Sequence, residues 1–367
     1  MPILAFTGSL TRPAPNYGEA NGRGITSFTF DPGTGQLRAV AEYRDIDDSS
    51  WLVVDARRRR LHAICEVPGT DRSWVTSFAI GPDGKLMQLG RQPSSGQTGC
   101  HARFSPDGRF LIVANYNAVV PAGAPDGAVD VFPVGPNGAL LPAVASARHV
   151  GTGPNRSRQE RAHAHCAMPS PDGRRLYVAD LGLDRIVVYG LGADGSLTAE
   201  PDSDFVLPPG TGPRHLAFSA DGKRLFMVAE LIATLWSFDV DLATGALSLC
   251  DRLAIPPPAD AIVQPAGILL TADGRHLLAG LRDSNELIGA GVDAATGRLT
   301  QSFRSPSGGA TPRDFAFSPD GRHLIVANQD ADRLTVFPVA SGQLGEPLQN
   351  LAVGTPMAIA IADFQTA

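Results

Sequence analysis

Five stretches of the chain share one plan of apolar and polar positions. SPDGRFLIVAN (from Ser105), SPDGRRLYVAD (Ser170), SADGKRLFMVA (Ser219), TADGRHLLAGL (Thr271) and SPDGRHLIVAN (Ser318) each set Asp-Gly between two apolar runs. The residues alternate before Asp-Gly and cluster after it. That pattern predicts a β-hairpin, because Gly takes positive φ without steric cost. A weaker copy, SWLVVDARRRRLHAICE, centres on Asp55, and a last fragment, GTPMAIAIAD, ends at Asp363. A third apolar run follows (AVDVFPV, RIVVYGL, TLWSFDV, LTVFPV), then Gly-x-Leu, then a fourth run. Gly-x-Leu recurs at Gly35, Gly84, Gly138, Gly195, Gly245, Gly297 and Gly342, spaced 45 to 57 residues apart. Four short strands repeated seven times, with no helical period, predict an all-β, seven-bladed β-propeller of four-stranded antiparallel blades. One domain is expected over residues 1–367. The N-terminal strand, near Leu4 to Ser9, is expected to close the last blade.

Composition narrows the function classes. The chain has 367 residues, 43% hydrophobic and 19% charged, with a formal charge of −6. That balance suits a folded chain and not a disordered acidic one. Arg57 to Arg60 form its one basic run, so neither nucleic acid nor a membrane is expected as a partner. Cys65, Cys100, Cys166 and Cys250 lie far apart with no CxxC, and the start lacks an export signal. Both point to a reducing, cytoplasmic setting without disulfides or structural zinc.

Counting from the turn aspartate exposes a candidate site. Seven residues before it stand Asp48, Cys100, His165, Arg214, Ala266, Arg313 and Pro356. Nine residues after it stand Tyr116, Leu181, Glu230, Arg282 and Gln329, with Glu66 joining them once the longer RRRR turn is allowed for. Both sets lie far from the turn, so they meet at one mouth of the channel. Positions nearer the turn repeat apolar types, whereas these diverge into ionisable ones. Arginines there suit a small anionic ligand, and an imidazole beside a carboxylate can move protons. Mutual ion pairing around a channel entrance is the plainer alternative.

The stretches RQERAHAHCAMPSPDGRRLYVADLGLDRIVVY, GTGPRHLAFSADGKRLFMVAEL, TPRDFAFSPDGRHLIVANQ and CHARFSPDGRFLIVANY resemble the lactonase family of seven-bladed propellers. That family includes bacterial 6-phosphogluconolactonases of propeller type and fungal carboxy-cis,cis-muconate cyclases. The resemblance implies His165, Arg214, Glu230 and Arg282 as catalytic residues. It implies His101, Asn115, Arg313, Asn328 and Gln329 as binding or supporting groups, to which register adds Tyr116 and Glu66, and strand alternation His163. In relatives a Glu and an Asn stand where this chain has Gly267 and Leu281. The expectation is a metal-independent, cofactor-free hydrolase of an anionic sugar lactone, with 6-phosphogluconolactone as substrate. A muconate-type cyclase is the second reading, and a non-catalytic propeller binding a partner or sugar acid at its mouth the third. His163 and His165 alternate on one strand, but no third and fourth metal ligand stands near them. No GxSxG elbow surrounds any serine. Cys100 and Cys166 read as small buried hydrophobes, and Asn117 to Asp126 and Gly151 to Arg161 as long surface loops. Oligomeric state is not legible.

Overall fold

The computed structural model describes residues 3–13, 19–66, 72–120, 122–257 and 263–364. Seven antiparallel sheets, each of four or five strands, are arranged as blades. The innermost strands of blades one to six are Ser49–Asp55, Gly99–Phe104, Ala164–Pro169, Pro213–Phe218, Pro265–Leu270 and Pro312–Phe317. Each continues outward through its own second, third and fourth strands. The N-terminal strand closes the last blade as expected, pairing with the C-terminal one, but it brings two further strands with it. The innermost strand of that blade is the C-terminal Pro356–Asp363, and three N-terminal strands (Ile3–Ser9, Ile25–Asp31 and Gln36–Tyr43) complete it. The Gly-x-Leu turn at Gly35 therefore belongs to the closing blade. Closure joins both ends of the chain in one sheet.

The turn motif works as a hydrogen-bonded cassette. Ser105 Oγ donates to Asp107 Oδ1 at 2.6 Å, and Asp107 Oδ1 accepts the Arg109 N–H at 3.0 Å. The same pair recurs at Asp172, Asp221, Asp273 and Asp320. The apolar positions pack between neighbouring blades. Ile186 and Val188 of the third blade meet Met227, Trp236 and Phe238 of the fourth. Leu4 and Phe6 of the closing blade meet Leu61 and Phe78 of the first. Trp51 packs on the cluster between the first and second blades and also lies against His101 and His215.

The Gly-x-Leu turn seats each blade on its predecessor. Arg175 of the third blade donates to the carbonyls of Leu242 and Ala243, beside Gly245 of the fourth. Arg224 does the same to Ala294 and Ala295, beside Gly297 of the fifth. At Gly342 the seat is the His276 ring. A Cβ there would come within 2.2 Å of Cγ, and the backbone has φ +72°. Gly342→Ala therefore combines a left-handed backbone with a clash against a rigid ring. It is expected to destabilise the fold by about 2 kcal/mol or more. An unchanged denaturant midpoint would refute this account of the motif.

Candidate active site

The polar mouth is built by a defect repeated in the innermost strands. In blades one to six the register to the second strand slips once, between Ser49 and Trp51, Gly99 and His101, Ala164 and Cys166, Pro213 and His215, Pro265 and Ile268, and Pro312 and Asp314. Each slip is a β-bulge, which re-aims the skipped side chain. The skipped residues are Ser50, Cys100, His165, Arg214, Ala266 with Gly267, and Arg313. Seven before the turn aspartate is thus the bulge in blades two to six. In the first blade it is Ser50 and not Asp48, because Asp55 sits two residues earlier in its turn, where Val54 pairs Leu61 as Phe104 pairs Leu111. Asp48 instead accepts hydrogen bonds from Thr11 and Arg12.

The second set is held by a last backbone rung. The N–H groups of Glu66, Tyr116, Leu181, Glu230, Arg282 and Gln329 donate to the carbonyls of Asp48, Thr98, His163, Gly212, Gln264 and Thr311. Six blades therefore present one residue each at the same height, just past the second strand.

A cavity of about 350 Å³ opens there. Of the residues expected from sequence, Glu66, Tyr116, His163, His165, Glu230, Arg282 and Arg313 line it. Arg214 lies directly behind Glu230. Its Nε donates to Glu230 Oε2 at 2.9 Å, and its Nη1 donates to the Ala266 carbonyl at 2.5 Å and to His215 Nε2 at 3.2 Å. Glu230 Oε1 takes Arg282 Nη2 at 3.1 Å and Arg158 Nη2. Burial alone would raise the Glu230 pKa, but the charges of Arg282, Arg214 and Arg158 more than reverse it and hold the carboxyl well below its usual range. Burial, together with Arg282 alongside, lowers Arg214 to about 10, which leaves it charged at neutral pH.

His165 lies on a ring floor. His165, His215, His101 and Trp51 have centroid separations of 4.7 to 5.4 Å along the contacts that join them. Burial, then the Arg214 charge, push His165 well below the ordinary histidine value, so its imidazole is neutral. Its Nδ1 lies 3.7 Å from Cys100 Sγ. Among the described residues nothing hydrogen-bonds Nε2, which leaves that nitrogen to the cavity. Tyr116 stacks on His163 at 4.3 Å, and burial raises its hydroxyl to about 12. His163 is held by the Tyr116 carbonyl at 2.7 Å and Glu160 at 3.2 Å, so its ring positions the rim.

Other expected residues lie elsewhere. Asn115 and Asn328 are the last residues of their second strands, and alternation turns them away from the cavity. Asn115 holds Ser94, Asp130 and the Gly127 carbonyl. Asn328 holds Thr335 and the Ser307 carbonyl. Gln329 is buried, donating to Asp330. His101 lies in the floor against Cys166, and burial lowers its pKa to about 3. Leu281 is core, and Gly267 lies over Phe315 and His215. Neither of these two lines the cavity. Cys100 is more than core filler, since its thiol touches His165.

Sequence reasoning missed Arg158, Ser157, Glu160, Gln264, Thr98 and Ala118, which also line the cavity, and His215, which orients Arg214. Residues 151–161, expected as a surface loop, bring Arg158 into the site. Three arginines immediately upstream of His-Ala-His were the available signal. Among the described residues no group of three His, Cys, Asp or Glu side chains could hold a metal ion.

Known proteins share this architecture over nearly its whole length. Residues 5–361 match the family model for the lactonase seven-bladed beta-propeller. The 6-phosphogluconolactonase of Bacillus subtilis is 28% identical over 323 residues, covering 88% of each chain. That of Formosa agariphila is 28% identical over 356 residues, covering 95% of this chain and 96% of its own. The structure of the Pseudomonas aeruginosa periplasmic gluconolactonase matches with TM-score 0.88 and 31% identity, over 99% of this chain and 100% of that one. With the bulged inner strands and the polar mouth they build, a match over this span means that the chain belongs to the lactonase family of seven-bladed β-propellers.

Proposed function

We propose that the protein hydrolyses a six-carbon sugar lactone, with 6-phosphogluconolactone as its substrate. The observation that carries this reading is the uncharged His165 imidazole, with Nε2 free toward a cavity whose wall also carries Arg282 and Arg313. Glu230, the other candidate base, is a poor one, because both its oxygens face guanidinium groups.

In this mechanism His165 Nε2 takes a proton from water as the oxygen attacks the lactone carbonyl carbon. Arg282 and Arg313 face the negative charge that develops on the carbonyl oxygen. Glu230 offsets the imidazolium charge, and Arg214 keeps Glu230 in place. The ring C–O bond then breaks, and His165 returns its proton to the departing ring oxygen, giving the free acid. A low-pKa imidazole is a weak base but a willing donor in this second step. The muconate-type reaction asks instead for an acid that protonates carbon at neutral pH, a role the depressed His165 does not suit. The formal charges, four guanidiniums including Arg214 against three carboxylates, leave an excess of one positive charge for an anionic substrate.

The test is the hydrolysis rate of 6-phosphoglucono-δ-lactone and glucono-δ-lactone above the spontaneous rate. Acceleration of neither would end this reading. The four cysteines are free thiols, which supports a reducing compartment. No helix among the described residues is long and apolar enough to cross a membrane. Cell fractionation decides the compartment, and recovery with periplasmic markers would overturn the assignment.

A further inference from the structure

Glu230 gathers more guanidinium than its own charge requires. Arg214, Arg282 and Arg158 all reach it, and protein encloses them to different degrees. Their side chains are 3%, 15% and 31% exposed. Arg214 is fixed by Glu230, the Ala266 carbonyl and His215. Arg282 is fixed by Glu230 and by the carbonyl and side chain of Gln264. Among the described residues Arg158 has only Glu230 and, at 3.4 Å, the Tyr116 hydroxyl. It is also the one of the three that comes from a loop and not from a blade strand or the rung beyond it.

The base of that loop is rigid. Gln159 is fully buried, its Nε2 donating to the Leu181 carbonyl at 2.8 Å and its Oε1 accepting the Asn155 N–H at 3.1 Å. Arg158 is therefore a long, rim-exposed side chain on a fixed footing. If it turns away, Glu230 keeps two guanidiniums and is not left as a bare buried charge. Resting on the lactone reading above, we propose that Arg158 is the specificity residue that reads the terminal phosphate of the substrate, exchanging Glu230 for the phosphate as the phosphorylated lactone enters.

The planar fork suits two phosphate oxygens at once. Ser157 and Thr98 on the same cavity wall carry hydroxyls that could serve a third. Glu160, the neighbouring carboxylate, is engaged by Arg161 at 3.5 Å and His163 at 3.2 Å, which tempers its repulsion of a dianion. An unphosphorylated lactone draws no such exchange, so Arg158 should separate the two substrates.

The experiment compares kcat/KM for 6-phosphoglucono-δ-lactone and glucono-δ-lactone in the native protein, Arg158→Gln and Arg158→Lys. The preference for the phosphorylated lactone should fall roughly 10- to 100-fold in Arg158→Gln, mainly through KM. Arg158→Lys, which keeps the charge and loses the fork, should fall between the two. Equal losses on both lactones, or an unchanged preference, would overturn the proposal. If the native protein accelerates neither lactone, the hydrolase reading fails separately, and calorimetric binding of 6-phosphogluconate and gluconate decides for Arg158. A native preference for the phosphorylated acid that disappears in Arg158→Gln supports it. No native preference, or one that survives the substitution, overturns it.

Discussion

His165→Asn is expected to lower kcat by about 10²- to 10⁴-fold, the usual worth of a positioned proton-transfer group, while KM changes only a few-fold. The ring makes no hydrogen bond at Nε2 among the described residues, and its Nδ1 has only the long 3.7 Å contact to Cys100 Sγ there, so its loss removes a reacting group and little of a structural tie. The edge contacts to Tyr116 at 5.2 Å and His215 at 5.3 Å are packing that Asn only partly replaces. A thermal melt within a few degrees of native would separate chemistry from folding. The pH profile adds a second, independent reading. Burial and then Arg214 disfavour the imidazolium, so the folded pKa lies well below 6.5. The base form then persists through neutrality and is lost only as pH falls toward that depressed value. The acidic limb of kcat/KM should accordingly lie well below pH 6.5, with a flat profile between about pH 6.5 and 8. A limb centred between pH 6 and 7, or near-native turnover in His165→Asn, would put the base elsewhere.

How legible these groups were depends on where each sits relative to the repeat. The bulge residues Cys100, His165, Arg214 and Arg313 all stand seven before an aspartate whose turn has the same length in each blade. Counting from the turn therefore found them without any knowledge of the bulge. The first blade broke the count because its RRRR turn is not longer after all: six residues separate Val54 from Leu61, as they separate Phe104 from Leu111, but Asp55 opens the turn where Asp107 stands third, which moves the true position from Asp48 to Ser50. Of the two roles expected for Asn115 and Asn328, binding or supporting, the structure places them in the second, because a one-residue step along a strand reverses the facing side. They brace loops while the next residue, Tyr116 or Gln329, stands at the rung. Arg158 lies in no repeat. Its place depends on how a single irregular loop folds over the mouth, and Gln159 settles that by burying itself against the Leu181 carbonyl. The closing blade was under-read for a related reason. The C-terminal fragment shows only its innermost strand, and the three partners lie some 300 residues away, without an Asp-Gly turn to mark them.

Glu230→Gln should injure both stability and turnover, and the two losses have one cause. The carboxylate is 1% exposed and Arg214 behind it 3%, so neither has water to fall back on. Neutralising Glu230 leaves the guanidiniums of Arg214 and Arg282 desolvated side by side, with no other carboxylate paired to either among the described residues. Removing one partner of such a buried pair costs about 3–5 kcal/mol, which a denaturant midpoint will show. Turnover should fall with it, roughly 10²-fold or more, because the imidazolium formed at His165 would then face arginines alone. The sign of the pH dependence follows from the direction of the Glu230 shift. Its folded pKa is depressed, so the stabilisation is fully present above the unfolded value of about 4.3 and is lost as pH falls through the folded one. The gap between native and variant should therefore stay constant from about pH 6 to 8 and begin to close only below about pH 4. A second substitution separates the structural role from the catalytic one. In Glu230→Gln with Arg214→Met, the most deeply buried of the stranded charges is gone and an apolar side chain fills its place, so part of the stability should return. Activity should not return, because the imidazolium still lacks its carboxylate. Recovery of both would make Glu230 a purely structural residue. Undiminished stability in the single variant would mean that the guanidinium cluster does not need it, and the electrostatic account of this mouth would fall.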